Sequence, residues 1–327
     1  WHRRAGEPHA EALALAAAGE AARGATLYVT LEPCAHHGRT PPCADAVVAA
    51  GVARVVVCHR DPDPRVAGRG LERLRAAGIE VELGDRIEPA IRLNLPYLVP
   101  RLLGRPTVTL KWAASLDGRI ATASGASQWI TGPAARRRAL ELREEHDAVL
   151  VGSGTLLADD PRLDRRLGRA PGAILRAVAD RRLRAPEDGR WLSVGGPAVV
   201  YTESDDGARR ARLEARGAEV VRLPAVTPAT MLEDLSRRGV RSLLVEGGGR
   251  IAGAFRDAGS WDRVVALVAP ILIGGAAAPA PIAGDGVAEL AAADRLAQVG
   301  TRRRGRDLEV EGVNAECSRV LSSRLGG

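Results

Sequence analysis

Four residues near the start of the chain are of the types that bind a zinc ion and transfer a proton. His9 and Glu11 lie two residues apart in "PHAEALALAAAGEA", and Cys34 and Cys43 lie in "LEPCAHHGRTPPC". Catalytic zinc takes three protein ligands and keeps a fourth position open for water, whose pKa it lowers toward neutrality. The spacing predicts that His9, Cys34 and Cys43 bind zinc. Glu11 would then carry the proton.

This arrangement is typical of the zinc-dependent nucleobase deaminases, in which His-x-Glu precedes Pro-Cys-x-x-Cys. Here eight residues separate the two cysteines, and the insert holds His36 and His37, which are alternative ligands. A closed structural site that uses one of these histidines stays open as an interpretation, as does the absence of any metal. A structural site, however, gives Glu11 no task.

The composition bounds the possible partners. The chain has 327 residues and a formal net charge of +7, and Lys111 is its only lysine. Its arginines are scattered beside Glu and Asp without interleaved aromatic residues for base stacking, so we expect no nucleic-acid partner. No uninterrupted apolar run reaches about 18 residues, so we expect no membrane partner. The chain begins with Trp1 and has no basic-then-apolar leader, which we interpret as a missing natural start rather than a signal peptide.

Short strands alternate with helices, a pattern typical of βαβ units and a mostly parallel sheet. The rhythm resets near "YLVPRLLGRP", so we place a linker at Gly104–Pro106. We expect domains at 1–103 and 104–314 and a disordered tail at 315–327. The predicted strands are "TLYVTLEP", "RVVVCH" and "IEVELG" in the first domain and "TVTLKWAASL", "AVLVGSG", "AVVYT", "AEVVRL", "SLLVEGGG" and "RVVALVAPILIG" in the second.

Long motifs in both halves resemble one family, the bifunctional riboflavin-biosynthesis enzymes called RibD, in which a deaminase domain is fused to a reductase domain. The resemblance covers essentially the whole chain up to the tail. In the first half it rests on "HAE", "YVTLEPCAHHGRTPPCADAVVAAGV" and "DPDPRVAGRGLERLRAAGIEV". In the second half it rests on "LKWAASLDGRIATASGASQWIT", "LREEHDAVLVGSGTLLADDPRLDRR" and "LLVEGGGRIAGAF".

The resemblance implies an α/β fold with two parts and a reaction for the first. A cytidine-deaminase-like α/β/α domain, truncated at its N-terminus, would be followed by a dihydrofolate-reductase-like α/β domain. His9, Cys34 and Cys43 match the zinc ligands of the family. Glu11 matches its proton shuttle. The implied substrate is a pyrimidine ribosyl phosphate, 2,5-diamino-6-(5-phosphoribosylamino)pyrimidin-4-one, which loses ammonia.

The resemblance assigns the second half to NADPH-dependent reduction of the ribosyl group to a ribityl chain. Asp159 would orient the substrate or assist its protonation. The implied cofactor-binding residues are Ala113, Trp129, Thr155, Asp159, Gly248, Gly249, Arg250, Ile251, Ala252, Gly253 and Ala254. The implied substrate-binding residues are Ser127, Arg143, Leu163, Arg166 and Glu246.

Without the family, several of these residues have ordinary structural interpretations. "LLVEGGGRIAGAF" predicts a strand, a glycine turn and a helix, which suits a tight turn as well as a phosphate cradle. Trp129 could belong to the core, and each arginine could lie on a solvated surface. Lys111, as the only lysine, suggests a role near substrate or cofactor that arginine cannot fill.

The family carries a further segment before "HAE", with a helix, strands and an Asn-containing substrate motif, and this sequence lacks it. We therefore expect weakened or absent deaminase activity beside a complete reductase. The nearest alternative is a zinc deaminase of another base or nucleotide with a C-terminal nucleotide-binding module, followed by a non-catalytic protein and a nucleic-acid editing protein. We also expect a homodimer formed through the reductase domain and a cytoplasmic location.

Overall fold

The computed structural model describes residues 7–38, 40–168 and 172–325. The chain divides into two compact units, which are described one at a time. Among the described residues, the first unit comprises those up to Leu103 and from Glu316 onward, and the second comprises Gly104–Ala315. Gly326 and Gly327, the end of the expected tail, lie outside the described residues.

The first unit is built on a small parallel sheet. Its elements are α1 (Ala10–Ala18), β1 (Thr26–Val29), α2 (Cys43–Ala49), β2 (Arg54–Val57), α3 (Arg69–Ala76), β3 (Glu80–Leu83) and α4 (Ile87–Leu103). The strands pair in the order β1-β2-β3, all parallel. A helix joins each strand to the next, as parallel pairing requires. Val55, Val57, Leu71 and Leu74 are among its fully buried core side chains.

The second unit is built on a nine-stranded sheet. Its strands are β4 (Thr107–Ser115), β5 (Ala148–Gly152), β6 (Leu175–Ala179), β7 (Ala198–Thr202), β8 (Glu219–Arg222), β9 (Ser242–Glu246), β10 (Arg263–Ala269), β11 (Leu296–Arg304) and β12 (Asp307–Asn314). Its helices are α5 (Pro133–Glu145), α6 (Ser153–Asp159), α7 (Gly207–Ala215), α8 (Pro228–Arg237) and α9 (Gly249–Asp257). The strand order is β11-β12-β10-β4-β9-β5-β6-β7-β8, and every neighbouring pair is parallel except the two that involve β12.

Three of these strands, β6, β11 and β12, are absent from the sequence prediction. β6 contains Arg176, which is buried and donates to the carbonyls of Val194 and Gly196. In β12 the expected pattern is inverted, because Glu309 and Glu311 are buried while Leu308 is 41% exposed. Hydrophobic periodicity assigns acidic residues to the solvent side, so it cannot find a strand whose acidic side faces inward.

The C-terminal residues form a helix, α10 (Ala315–Leu325), so the expected disordered tail is wrong for 315–325. Its buried residues include Cys317, Leu321 and Leu325, which recur every four positions and lie on one side of the helix. The short stripe is interrupted by serine and arginine, which hides it in the sequence. Among the described helices, none is long and apolar enough to cross a membrane.

Candidate active sites

Three elements of the first unit bring His9, Cys34 and Cys43 together. His9 directly precedes α1, Cys34 follows β1, and Cys43 is the first residue of α2. The backbone N–H of Cys43 donates to the Sγ of Cys34 at 3.3 Å. The N–H of Ala44 donates to the carbonyl of Cys34 at 3.1 Å. These two bonds close the eight-residue insert into a loop that returns the second cysteine to the first.

The three ligand atoms are spaced as a zinc ion requires. The Nδ1 of His9 lies 3.1 Å from the Sγ of Cys43 and 3.7 Å from the Sγ of Cys34. All three atoms lie within 4.8 Å of one another. Tetrahedral zinc with ordinary Zn–N and Zn–S lengths separates a nitrogen ligand from a sulfur ligand by about 3.5 Å. The donor set and its spacing therefore fit this metal.

The acidities of the cluster also suit a cation. Hydrogen bonding from Cys43 and the charge of His9 lower the pKa of Cys34 to about 5, against the opposing effect of burial. Hydrogen bonding to Cys34 and burial raise the pKa of Cys43. Burial raises the pKa of Glu11, whose carboxyl lies beside Cys43. One thiolate forms readily, and a divalent cation would supply the charge that ionises the second thiol.

The alternative histidine ligands of the insert do not join the cluster. In the part of the chain that the structure describes, the converging group consists of His9, Cys34 and Cys43. His37 is exposed, and Arg39 in the same insert lies outside the described residues. A closed site with a histidine of the insert as fourth ligand therefore has no support in the described geometry.

Glu32, which the sequence prediction missed, braces the loop beside the cluster. Its carboxylate is 2% exposed and accepts four backbone N–H groups from residues 61–71 at 2.9–3.3 Å. A Cβ at Gly70 would lie 2.0 Å from the carbonyl oxygen of Pro33, so only glycine permits this approach. No spacing in a single sequence connects Glu32 to amides that distant.

In the second unit, Glu246 is the centre of a buried charge cluster. It ends β9 and lies opposite Lys111 of β4 in the parallel register. Arg143, near the end of α5, donates its Nε and Nη2 to the two carboxylate oxygens at 2.7 and 2.9 Å, and the Nζ of Lys111 lies 3.7 Å away. Burial opposes ionisation, but these two cations outweigh it and lower the pKa of Glu246 to about 2. Lys111 therefore has a buried ion-pair partner, and its role near substrate or cofactor stays a prediction.

A second group of predicted residues meets at the end of α6. The hydroxyl of Ser127 donates to the Oδ1 of Asp159 at 2.8 Å, and the amide of Gln128 lies 3.4 Å from the same oxygen. Trp129 is 68% exposed, so its interpretation as a core residue is wrong. The guanidinium of Arg136 stacks on its ring at 4.7 Å from the centroid. The structure therefore brings Ser127 and Asp159 together and leaves an aromatic surface beside them.

The glycine turn after β9 faces α6. Gly247 and Gly248 have φ values of +97° and +78°, which favour glycine. A Cβ at Gly247 would lie 3.1 Å from the Oγ1 of Thr155. The rest of the expected run, residues 249–254, forms the first turns of α9. Thr155 and the turn are thus in contact, as a cradle shared by both would require.

Two glycines of α9 serve packing as well. A Cβ at Gly249 would lie 2.3 Å from the carbonyl oxygen of Ala280, and one at Gly253 would lie 1.8 Å from that of Ala283. Both positions therefore admit the backbone of the 280–284 segment. This close packing supports a structural role for Gly249 and Gly253, and the phosphate cradle stays a prediction.

Arg166 is already paired in this structure. Its Nη1 donates to Asp164 at 2.6 Å, and the Nε of Arg162 donates to the other carboxylate oxygen at 2.9 Å. Leu163 between them is buried. Ala113 lies elsewhere, on β4 opposite Leu267 of β10. A phosphate that approaches Arg166 would compete with Asp164, a partner that the sequence prediction missed.

Family matches cover both units. Residues 2–59 match the cytidine and deoxycytidylate deaminase zinc-binding region. Residues 106–310 match the RibD C-terminal domain. The riboflavin biosynthesis protein RibD of Aquifex aeolicus is 42% identical over 275 residues, covering 84% of this chain and 77% of that protein. The chain belongs to the RibD family.

Solved RibD structures agree with the fold. Acinetobacter baumannii RibD has a TM-score of 0.78 and 38% identity, and the match covers 96% of this chain and 87% of that one. A Thermotoga maritima diaminohydroxyphosphoribosylaminopyrimidine deaminase/5-amino-6-(5-phosphoribosylamino)uracil reductase has a TM-score of 0.75 and 32% identity, covering 95% and 86%. The expected fold class, a cytidine-deaminase-like domain followed by a reductase domain, is confirmed.

The two family matches contain both clusters. The deaminase match spans His9, Cys34 and Cys43, and the RibD C-terminal match spans the Glu246 and Asp159 groups. Zinc and NADPH are therefore the cofactors of the two domains. The alternative of another nucleobase deaminase with an unrelated nucleotide-binding module is not favoured, since the second match is to the RibD reductase domain itself.

Proposed function

We propose that this RibD-family chain catalyses two consecutive steps of riboflavin biosynthesis. The first removes ammonia from 2,5-diamino-6-(5-phosphoribosylamino)pyrimidin-4-one. The second reduces the ribosyl group with NADPH and gives 5-amino-6-(5-phosphoribitylamino)uracil. The observation that carries the proposal is the presence of both family matches on one chain, each with a polar cluster suited to its reaction.

In the deaminase half, His9, Cys34 and Cys43 would hold the zinc ion. Bound zinc would supply a Lewis acid and lower the pKa of water at its open position. Glu11 would accept a proton from the attacking water and deliver it to the departing amino nitrogen. The raised pKa of Glu11 supports this role, because a group that takes and returns a proton works best when its pKa is near the operating pH.

In the reductase half, the turn before α9 and the exposed ring of Trp129 would bind NADPH, together with Ala113 and Thr155. NADPH supplies the hydride. The first backbone N–H groups of α9 suit a pyrophosphate, since a helix N-terminus attracts an anion. The expected run for this contact is Gly248, Gly249, Arg250, Ile251, Ala252, Gly253 and Ala254.

The substrate of the reductase would lie between the two carboxylate groups of the second unit. Asp159, held by Ser127, would orient the sugar and assist its protonation. Arg166 would take the ribose phosphate once it leaves Asp164, beside the buried Leu163. Arg143 and Lys111 would keep Glu246 ionised, so that its carboxylate accepts hydrogen bonds from substrate donors.

The test combines metal analysis with two assays on the purified chain. We expect about one zinc per chain and NADPH oxidation with the deaminated pyrimidine substrate. Glu11→Gln should keep the zinc and the NADPH oxidation while losing any ammonia release that the wild-type chain shows. A chain without zinc, or one that never oxidises NADPH with that substrate, would contradict the bifunctional assignment. Zinc loss in Glu11→Gln would contradict the shuttle role.

We further propose a homodimer formed through the reductase domain and a cytoplasmic location. β11 lies at the edge of the large sheet, with Val299 56% exposed, and an unpaired edge strand is suited to pairing with a second chain. The four cysteines are free thiols, which suits a reducing compartment. Light scattering at two protein concentrations tests the dimer, and a monomer at both would contradict it.

A further inference from the structure

The segment that carries Trp129 is held by carboxylates from other parts of the second unit. This segment, residues 116–132, joins β4 to α5 without regular structure. On one side of Trp129, Ser127 donates to Asp159 at 2.8 Å. On the other side, the backbone N–H of Gly132 donates to the Oδ2 of Asp307 at 2.7 Å. The exposed ring thus lies between two anchors, each at most three residues away.

Asp307 is the less expected of the two anchors. It begins β12, it lies 175 positions from Gly132 in sequence, and it is 1% exposed. Gly132 precedes α5 and has no side chain with which to cap it. Asp307 therefore accepts from the backbone N–H of the N-cap residue, the bond that Glu or Gln at the third helical position makes in a capping box. A charged acceptor makes this bond stronger than a neutral one would.

The burial of Asp307 indicates a specific purpose. Its Oδ1 has no hydrogen-bond partner among the described residues, and the nearest cation of an ion pair, Arg306, is 4.0 Å away and mostly exposed. A buried carboxylate with so few partners contributes little to stability. What it does fix is the point where the Trp129 segment enters α5, the helix that also carries Arg143.

We propose that Asp307 is a positioning residue of the reductase, which sets Trp129 for contact with the nicotinamide cofactor by anchoring Gly132. The inference rests on the proposed function, since it assumes that Trp129 binds NADPH. Loss of the anchor frees the start of α5 and the three residues before it. Cofactor binding must then order this segment, which makes the free energy of binding less favourable. The KM for the cofactor therefore rises while kcat changes little.

The experiment compares three variants of the full chain. Asp307→Ala should raise the KM for NADPH about tenfold, the effect of losing one buried hydrogen bond. Asp307→Asn should stay near wild type, because its amide oxygen still accepts from Gly132. Asp206→Ala is the matched control: it removes the side-chain cap of α7, which accepts from Arg209 at 2.9 Å, and should leave the KM unchanged.

Hydrogen–deuterium exchange provides a second measurement that needs no activity. Peptides covering residues 127–136 should exchange faster in Asp307→Ala than in wild type or Asp307→Asn. An unchanged KM and unchanged exchange in a folded Asp307→Ala would overturn the inference. If Asp307→Ala does not fold, a large KM increase in the folded Asp307→Asn would also overturn it. Failure of the wild-type chain to oxidise NADPH would count against the proposed function instead.

Discussion

The two polar clusters differ in how far apart their members lie in the sequence and in which charges they contain. His9 and Cys43 are 34 positions apart and meet through short segments of one unit. Arg143 and Glu246 are 103 positions apart and meet at the carboxyl end of β9, the middle strand of the large sheet. Among the described residues, the first cluster offers two sulfur atoms and an imidazole nitrogen to a cation, whereas the carboxylate of the second already contacts two cationic side chains.

This difference implies different dependence on a bound ion. Both thiols of the first cluster ionise only when a bound metal supplies positive charge. The three ligands therefore function only as a complete set. The carboxylate cluster is complete in the protein alone. Replacing a member of the carboxylate cluster should therefore lower the stability of the second unit, whereas replacing a thiol ligand should mainly weaken metal binding.

The largest expected effect is the loss of zinc from Cys43→Ser. We expect the zinc content to fall from about one per chain to nearly none, since serine is a poor zinc ligand at neutral pH and two ligands do not hold the ion. NADPH oxidation should persist, because the reductase cluster needs no metal. Inductively coupled plasma mass spectrometry on the dialysed protein measures the first quantity.

Cys58→Ser is the matched control for this variant. Cys58 follows β2, is half-buried and lies outside the converging group, so its replacement should leave the zinc content unchanged. Equal zinc in Cys43→Ser and wild type would show that the ion binds elsewhere and would remove the contrast between the clusters.

The next largest effect concerns stability. Arg143→Met leaves the carboxylate of Glu246 buried with Lys111 as its remaining ion-pair partner, and breaking a buried pair in this way costs about 3–5 kcal/mol. Urea unfolding followed by tryptophan fluorescence measures it, because Trp112, Trp191 and Trp261 all lie in the second unit.

Arg237→Met provides the comparison for an exposed pair. Arg237 lies 3.0 Å from Glu233, and the two side chains are 62% and 70% exposed. Its replacement should cost less than about 1 kcal/mol. Similar losses in the two variants would mean that the Arg143 pair is no more important to stability than a surface contact.

The same contrast explains what the sequence could predict. The thiol cluster was predictable, because cysteine and histidine are rare in this chain and their types and order match a known chemistry, although eight residues rather than two separate the cysteines. The strands with apolar runs were also predictable. The inward-facing Glu309 and Glu311 were not, because each is buried against an arginine from another element, Arg138 and Arg263. Periodicity cannot pair residues that distant.

The partners of the predicted site residues show the same limit. The resemblance indicated Arg166, but its ion pair with Asp164 depends on loop geometry. Asp307 and Gly132 are far apart in sequence, and they come together only when β12 has its place in the folded sheet. The helix at 315–325 was missed for a different reason, since its apolar stripe has only three members. Local sequence patterns thus predicted individual site residues. The ion pairs between residues far apart in sequence could be identified only from the folded structure.

The smallest of the three main effects is a pH dependence from His146, which directly follows α5. Its ring is buried, with Nδ1 2.6 Å from the carbonyl of Leu142 and Nε2 2.9 Å from the hydroxyl of Thr109. These partners suit a neutral imidazole that donates at Nδ1 and accepts at Nε2. Burial, with a contribution from the charge of Arg263, lowers the pKa of His146 to about 4 from 6.5.

The sign of the effect follows from proton uptake. Between pH 6.5 and about 4 the unfolded chain binds a proton at His146 that the folded chain does not, so the folded state loses stability as the pH falls through this range. The loss contributed by this one residue is up to roughly 3 kcal/mol.

His146→Gln keeps an amide donor and acceptor in the same place but cannot titrate. Its free energy of unfolding, measured by the same fluorescence method, should therefore fall less steeply over this range than that of wild type. His37→Gln, an exposed histidine of the other unit, should keep the wild-type slope. Equal slopes for His146→Gln and wild type would mean that the imidazole takes up its proton over the same pH range in the folded and the unfolded chain. Its positive charge would then act on Glu246 in addition to those of Arg143 and Lys111.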